Sequence, residues 1–270
     1  MKMKNFKLLV IVLSILSASV FIQSCAKDEK PAPSKQNVSN RTTVTNCDPE
    51  TLFPENTNCT SVQRNVQISF ALGNTLYSTG SMLAELCPGL TVDVSYTYTS
   101  CLDENGDPVN FIHNVEYDLD EILSDCPDLD EKLQEQVLFN NHTPFLDMIE
   151  FDISKQIEFT EAYNTISASP TTYDCESGTA IYSVKAIANS CFQWGYGVVN
   201  YPETGPYYFF TREDCDAEVC CTRSGFYCFE GYTLDGIGLT GSNSYDDIAF
   251  GECPEECTHE CGQPGNPIED

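Results

Sequence analysis

The chain has 270 residues, 41 of them acidic and 13 basic, for a net charge of −28 and an isoelectric point near 4.1. A surface of that sign repels phosphate backbones, which excludes nucleic-acid binding. Hydrophobic residues make up 41% and aromatic residues 11% of the chain, enough to bury a core and to exclude disorder over its bulk.

The N-terminus carries Lys2, Lys4 and Lys7, then an uncharged, mostly apolar stretch from Leu8 to Ile22. This is the charge-then-apolar order of a secretory signal. As a helix the stretch would rise about 22 Å, short of the ~30 Å hydrocarbon core, so a cleaved signal is expected rather than a retained anchor. It closes on Phe21-Ile22-Gln23-Ser24-Cys25, which resembles the lipobox of bacterial lipoproteins: an aliphatic residue, a small residue before the cut, then the cysteine that receives the lipid. The resemblance implies removal of residues 1–24, lipidation of Cys25 and a lipid anchor in the cell envelope. In Ala26-Lys27-Asp28-Glu29-Lys30 the position directly after the lipidated cysteine is Ala26, not the aspartate that retains such proteins in the inner membrane, and the segment is similar to the Lys/acidic export signal of surface lipoproteins in Bacteroidota. It implies the outer membrane, with the cell surface as the further destination.

Cysteine parity points the same way. Fifteen cysteines are an odd number, and lipidating Cys25 leaves fourteen, enough for seven disulfides in an oxidising compartment. Cys47, Cys59, Cys87 and Cys126 are disulfide candidates. Residues 25–46, with Pro31-Ala32-Pro33-Ser34 and a Ser/Thr/Asn-rich run, read as the lipidated cysteine and a flexible tether. Residues 47–252 read as a disulfide-rich globular domain, and 253–270 as a Cys/Pro/Glu-rich tail. Without the signal, ten basic residues face 41 acidic ones, a net charge of −31.

From Thr91, Val92, Val94, Tyr96 and Tyr98 alternate with Asp93, Ser95, Thr97 and Thr99. From Phe111, the residues Phe111, His113, Val115 and Tyr117 alternate with Ile112, Asn114, Glu116 and Asp118. These are half-buried strands, and Asn105-Gly106 between them is a hairpin signal. A two-residue turn there pairs Tyr98 with His113, Tyr96 with Val115 and Val94 with Tyr117, so that the apolar faces coincide. About ten extended residues separate Cys87 from Cys101, some 30 Å at ~3.3 Å each, too far for a disulfide. The same register sets Cys87 opposite Ser124, beside Cys126, and predicts a Cys87–Cys126 bond.

Leu129 to Phe139 has helical composition. Thr143-Pro144 looks like an N-cap and first helical proline, followed by Phe145, Ile149, Ile153 and Ile157 at i+4 spacing. Ile149, Phe151, Ile153, Ile157 and Phe159 also fit strand alternation; length and cap favour a helix over roughly 144–166. Asn164 to Gly178 reads as helix exit and loop. Strand-like stretches follow at Ala180–Ala188, Cys191–Val199, Tyr207–Thr211 and Val219–Phe229. The fold class is α+β, antiparallel β-sheets with one or two helices and many disulfides; an all-β sandwich is the alternative.

No nucleophile elbow, HExxH or phosphate-binding glycine loop occurs, and no catalytic residue or cofactor is expected. His113 shares its strand's apolar face and reads as a core histidine; His142 reads as a loop residue. Cys253, Cys257, His259 and Cys261 resemble a metal cluster, but outside the cytoplasm disulfides are the default for such cysteines, so no metal is expected. Asp103-Glu104-Asn105-Gly106-Asp107 has oxygen ligands at an EF-hand-like rhythm, yet the closing glutamate position holds Asn114. Phe192, Trp194 and Tyr196 share one side of a strand, with Tyr201 and Tyr207 to Phe210 close behind. That side fits a core face; exposed, Trp194 and Tyr196 would stack on a ligand's rings. The function these features favour is a surface-displayed, non-catalytic binding or adhesion lipoprotein for a glycan or a protein. The alternatives are a structural envelope component and a secreted hydrolase using paired carboxylates.

Overall fold

The computed structural model describes residues 47–70, 81–189, 191–202, 205–215, 219–233 and 236–249. Cys25, the signal, the tether and the Cys253–Cys261 tail lie outside them. In chain order the elements are α1 (Pro49–Leu52), β1 (Thr57–Phe70), α2 (Met82–Leu86), β2 (Leu90–Leu102), β3 (Pro108–Tyr117), α3 (Leu119–Asp125), α4 (Pro127–Leu138), α5 (Thr143–Ala168), β4 (Tyr182–Asn189), β5 (Phe192–Tyr201), β6 (Gly205–Asp214), β7 (Val219–Thr233) and β8 (Gly236–Ala249).

Six strands form one sheet in the order β1-β2-β3-β4-β7-β8, while β5 and β6 pair separately. Helix α5 contacts both edge strands, β1 and β8, as well as β4 and β7 between them; the sheet therefore curls around it. Burial on almost every side explains the helix's composition: Phe145, Leu146, Met148, Ile149, Ile153, Ile157, Phe159, Ala162 and Ile166 are all in the core. The inner face of the sheet supplies Ile68, Val92, Val94, Tyr96, Ile112 and Val184 against it. No helix among the described residues is long and apolar enough to cross a membrane.

The fold is mixed α+β with a β-rich sheet. Two features depart from the expectation. Five helices are present among the described residues, not one or two, and three are short pieces started by Asp48, Ser81 and Asp118, whose side chains accept helix N–H bonds. In addition, β3 and β4 run parallel, because α3, α4 and α5 make the crossover a parallel pair requires. The central helix rules out the sandwich. Helix α5 begins one residue earlier than read, with His142 at the N-cap and Pro144 within the first turn.

The β2–β3 register holds at one end and slips at the other. Val94 faces Tyr117 as expected, but Thr97 faces His113 and Tyr98 faces Ile112. A bulge on β3 absorbs the difference at Asn114, whose φ of 52° is left-handed. The turn sets the slip. Asp103 Oδ1 accepts the N–H groups of Asn105 and Asp107, both at 2.8 Å, and closes a five-residue loop in place of the two-residue turn. The slip sends Phe111 to the outer face, where it packs on Phe53 at 5.3 Å between ring centroids. There Leu52, Phe53, Phe111 and Ile187 form a second, smaller cluster around Cys47–Cys220 and Cys101.

All eleven cysteines of the described residues are disulfide-bonded. Cys47 joins Cys220, Cys59 joins Cys101, Cys87 joins Cys126 and Cys175 joins Cys228. The Cys87–Cys126 bond links the ends of α2 and α3; the strand ladder stops at Leu90 and Tyr117 and does not extend to it. Cys191, Cys215 and Cys221 are bonded as well.

Candidate functional site

Two regions gather chemistry-bearing side chains. The first lines α5. Its three glutamates each meet an arginine: Glu150 meets Arg212 at 2.6 Å, Glu158 meets Arg223, and Glu161 takes both oxygens to Arg64 Nη1 at 2.5 Å. The sequence has four arginines, so three serve as counterions to one helix. Tyr227 also donates to Glu158 at 3.2 Å, and the Tyr96 hydroxyl donates to Glu161. Gly225 makes room for this cluster, since a Cβ there would lie 2.8 Å from the Tyr227 ring and 3.0 Å from Glu158. Burial and the Glu161 carboxylate hold the Tyr96 hydroxyl well above the usual tyrosine range. Glu158 and Glu161 are buried, each clamped by its own arginine.

The second region is the β5–β6 hairpin with the α4–α5 corner. Three polar attachments dock the hairpin. Trp194 Nε1 donates to Asp147 Oδ1 at 2.9 Å; the Gln134 amide accepts from Tyr208 N–H and donates to its carbonyl, both at 2.8 Å; and Arg212, besides Glu150, donates to the Asn189 carbonyl at 3.0 Å. The Arg212 guanidinium stacks 3.8 Å from the Phe192 ring centre. Phe192 and Phe210 are buried. On the opposite face Phe209 lies across Gly197, where a Cβ would come within 2.0 Å of the ring; the glycine gives the aromatic its place.

Beside these attachments the hairpin turns apolar side chains to solvent. Tyr196 is 47% exposed, Val198 49% and Val199 40%, and the nearby end of α4 leaves Leu138 70% and Phe139 76% exposed. The rings of Tyr208 and His142 meet Tyr196 edge-on, at 5.6 and 5.2 Å. Leu138 lies one turn beyond Gln134 on α4, so corner and hairpin adjoin. The aromatic row read from the sequence is therefore divided: Phe192 belongs to the core, Trp194 is half-buried and bonded, and Tyr196 is open. His142 is buried in this corner, and burial pushes its pKa down. It packs between rings, which the loop reading did not anticipate. Sequence reading also missed Leu138 and Phe139, although a signal was present. The buried stripe of α4 is Leu129, Leu133 and Val137, and the next two apolar residues step off it.

His113 is a core residue whose Nε2 pairs with Thr99 Oγ1 at 3.0 Å, and burial lowers its pKa. The Asp103 loop uses its carboxylate on its own backbone, which accounts for the spacing that looked like a calcium loop. Among the described residues no group of three or more His, Cys, Asp or Glu is placed to hold a metal. An open cleft of about 410 Å³ lies beside Cys87–Cys126, lined by Leu86, Pro88, Gly89, Asp125 and Asp128. Comparison with protein-family models, with curated proteins and with solved structures finds no match to this chain.

Proposed function

We propose that this chain is a lipid-anchored binding or adhesion module of the outer membrane, engaging a glycan or a protein ligand through the hairpin–corner surface. One observation carries the reading. Leu138, Phe139, Tyr196 and Val198 lie exposed on adjoining elements, while the acidic groups of α5 are consumed inside the fold. Exposed apolar clusters on an otherwise charged surface mark contact sites, and an open tyrosine ring can stack on a sugar or anchor a protein contact. The lipobox-like segment and the cysteine parity support the anchor, and a net charge of −31 keeps the displayed domain soluble.

Retention of the mature protein on glycan and host-matrix arrays tests the ligand half. Wild type is expected to be retained, and Phe139→Ser with Tyr196→Ser to lose at least about tenfold of that signal while unfolding at nearly the same temperature, exposed substitutions being worth about 0.5 kcal/mol or less. Equal retention of both proteins would move the binding surface elsewhere, and no retention of either would favour the structural role. Palmitate labelling of expressing cells tests the anchor. Cys25→Ser should abolish the label, and a secreted, unlabelled wild type would remove the lipid from the proposal.

A further inference from the structure

We propose that His142 is an acid-sensitive latch: neutral, its ring helps to seat the β5–β6 hairpin on the α4–α5 corner, and protonated, it loosens the hairpin and the surface around Tyr196. The role of that surface as a contact site rests on the reading above, and mild acid would then weaken the contact.

The seat is closed and aromatic. His142 stands at the N-cap of α5 and is 5% exposed. Its ring lies against one aromatic from each strand of the hairpin, Tyr196 of β5 edge-on at 5.2 Å and Phe210 of β6 at 6.0 Å. Tyr196 and Phe210 face each other in the ladder, so one imidazole meets both strands at a single rung. Its Nδ1 is buried and has no hydrogen-bond partner among the described residues. A neutral ring leaves one modest polar group unmatched there, whereas an imidazolium carries a full charge and N–H donors at both nitrogens. Burying a charge without an acceptor costs far more than burying a neutral polar group. The place in the chain adds to the cost, because a helix N-terminus disfavours a cation.

The surrounding charges are placed elsewhere. Apart from His142, the chain from Gln136 to Leu146 carries no ionisable side chain. Glu135 precedes that stretch on α4, and Asp147, which follows it on α5, is engaged by the Trp194 indole. On the hairpin side stand the phenols of Tyr196 and Tyr208 and, two residues beyond Phe210, Arg212, which is held by Glu150. Burial is thus the cause that pushes the His142 pKa below 6.5. The folded chain binds this proton more weakly than the unfolded chain does. Stabilisation from the neutral ring is therefore fully present above about 6.5 and is lost as pH falls below it. The Gln134 amide, which grips both the N–H and the carbonyl of Tyr208, does not titrate, so acid loosens the hairpin without detaching it.

Trp194, the sole tryptophan, lies on β5 and reports on the latch. Its emission in the mature protein is followed between about pH 7.5 and 5.5, a span centred on the ordinary imidazole value, beside an NMR titration of the His142 ring. Emission should shift to the red in step with His142, at a midpoint below 6.5. His142→Phe keeps a ring in the seat and cannot take a proton, so its emission should stay constant. A wild-type emission that ignores the His142 titration, or an equal shift in His142→Phe, would overturn the latch. Two other groups respond in this span. His113 on β3 is lowered by burial too, and Asp152 is raised to about 6, where protonation favours the fold. Both remain in His142→Phe, so their effects appear there as well and are separated from the latch. Because that variant can disturb the corner, a second measurement uses wild type alone. Amide exchange, corrected for intrinsic rates, should show β5 and β6 losing protection in acid relative to β4 and β7; a uniform loss counts against the proposal. Neither arm uses a ligand, so a failed array experiment leaves this result standing, and failure here leaves the binding surface untouched.

Discussion

Helix α5 and the β5–β6 hairpin are both rich in aromatic and charged side chains, yet one is sealed and the other is half open. Along the middle of α5, the Glu158 and Glu161 carboxylates lie in the interior of a protein with very few cations, and each is answered by a single arginine. Arginine suits that place because its planar fork satisfies carboxylate oxygens while staying charged when buried. At the hairpin, polar side chains serve instead as attachments, and the apolar residues beside them stay partly open to solvent. Acidic excess is thus compatible with a charged interior as long as every buried charge has its own partner, and the unpaired remainder goes to the surface.

Glu158 is where the sealed helix is most vulnerable. Its side chain is fully buried and Arg223 is 10% exposed, so Glu158→Ala leaves a buried guanidinium without its carboxylate, held by Ser154 Oγ at 2.8 Å and the Phe151 ring 4.8 Å away. Removing one member of a buried pair costs about 3–5 kcal/mol. Urea unfolding should show that loss, and Glu158→Met with Arg223→Met should recover most of it. If the double variant is as damaged as the single one, the pair is doing more than cancelling its own burial.

Asp152 gives the next effect, and it depends on pH. Its Oδ2 accepts from Ser81 Oγ at 3.0 Å and from Leu83 N–H at 2.9 Å, holding the first turn of α2. Burial nevertheless pushes the carboxyl from 3.8 up to about 6, against the pull of those hydrogen bonds. The folded chain therefore holds this proton more tightly than the unfolded chain. The contribution of Asp152 is greatest below about 3.8, falls as pH rises toward 6, and is level above that. A displacement of that size corresponds to on the order of 3 kcal/mol. Asp152→Asn cannot ionise, so its stability relative to wild type should rise across that window in urea titrations. A constant difference from pH 4 to 6 would mean that the carboxylate is already charged in the fold.

What the sequence makes legible follows from where packing is decided. The i+4 spacing of Phe145, Ile149, Ile153 and Ile157 marks α5 because the helix is surrounded, and the alternation from Thr91 marks β2 because one of its faces is the core. Strands β1 and β8 escape notice. Their sequences are polar or rich in Gly, Ser and Asn, and what makes them strands is pairing with β2 and β7, which is set by residues far away in the chain. The bulge at Asn114 is equally hidden, since it depends on how the Asp103 loop closes. At the candidate site, alternation identifies Trp194 and Tyr196 as one row, but where the row passes from core to solvent depends on the course of α4 and α5.

Trp194 provides the finest test of whether the hairpin is a separate unit. It sits at the boundary, half-buried, and its indole N–H is fixed to Asp147 on the first half of α5. Trp194→Phe keeps an aromatic ring against Phe192, whose centroid lies 5.9 Å away, and deletes that hydrogen bond. A bond of this kind contributes about 1 kcal/mol net, close to a fivefold change in a local opening equilibrium. The Gln134 and Arg212 attachments remain, so the hairpin should stay docked but open more often. Amide hydrogen exchange of the folded protein reads this directly, because it resolves units that open independently. Amides of β5 and β6 should exchange about five times faster in the variant, by the same 1 kcal/mol, while those of α5 beyond Ile153 stay as they were. If α5 accelerates in step, the hairpin and the sealed core open together, and the contrast between them is one of exposure alone.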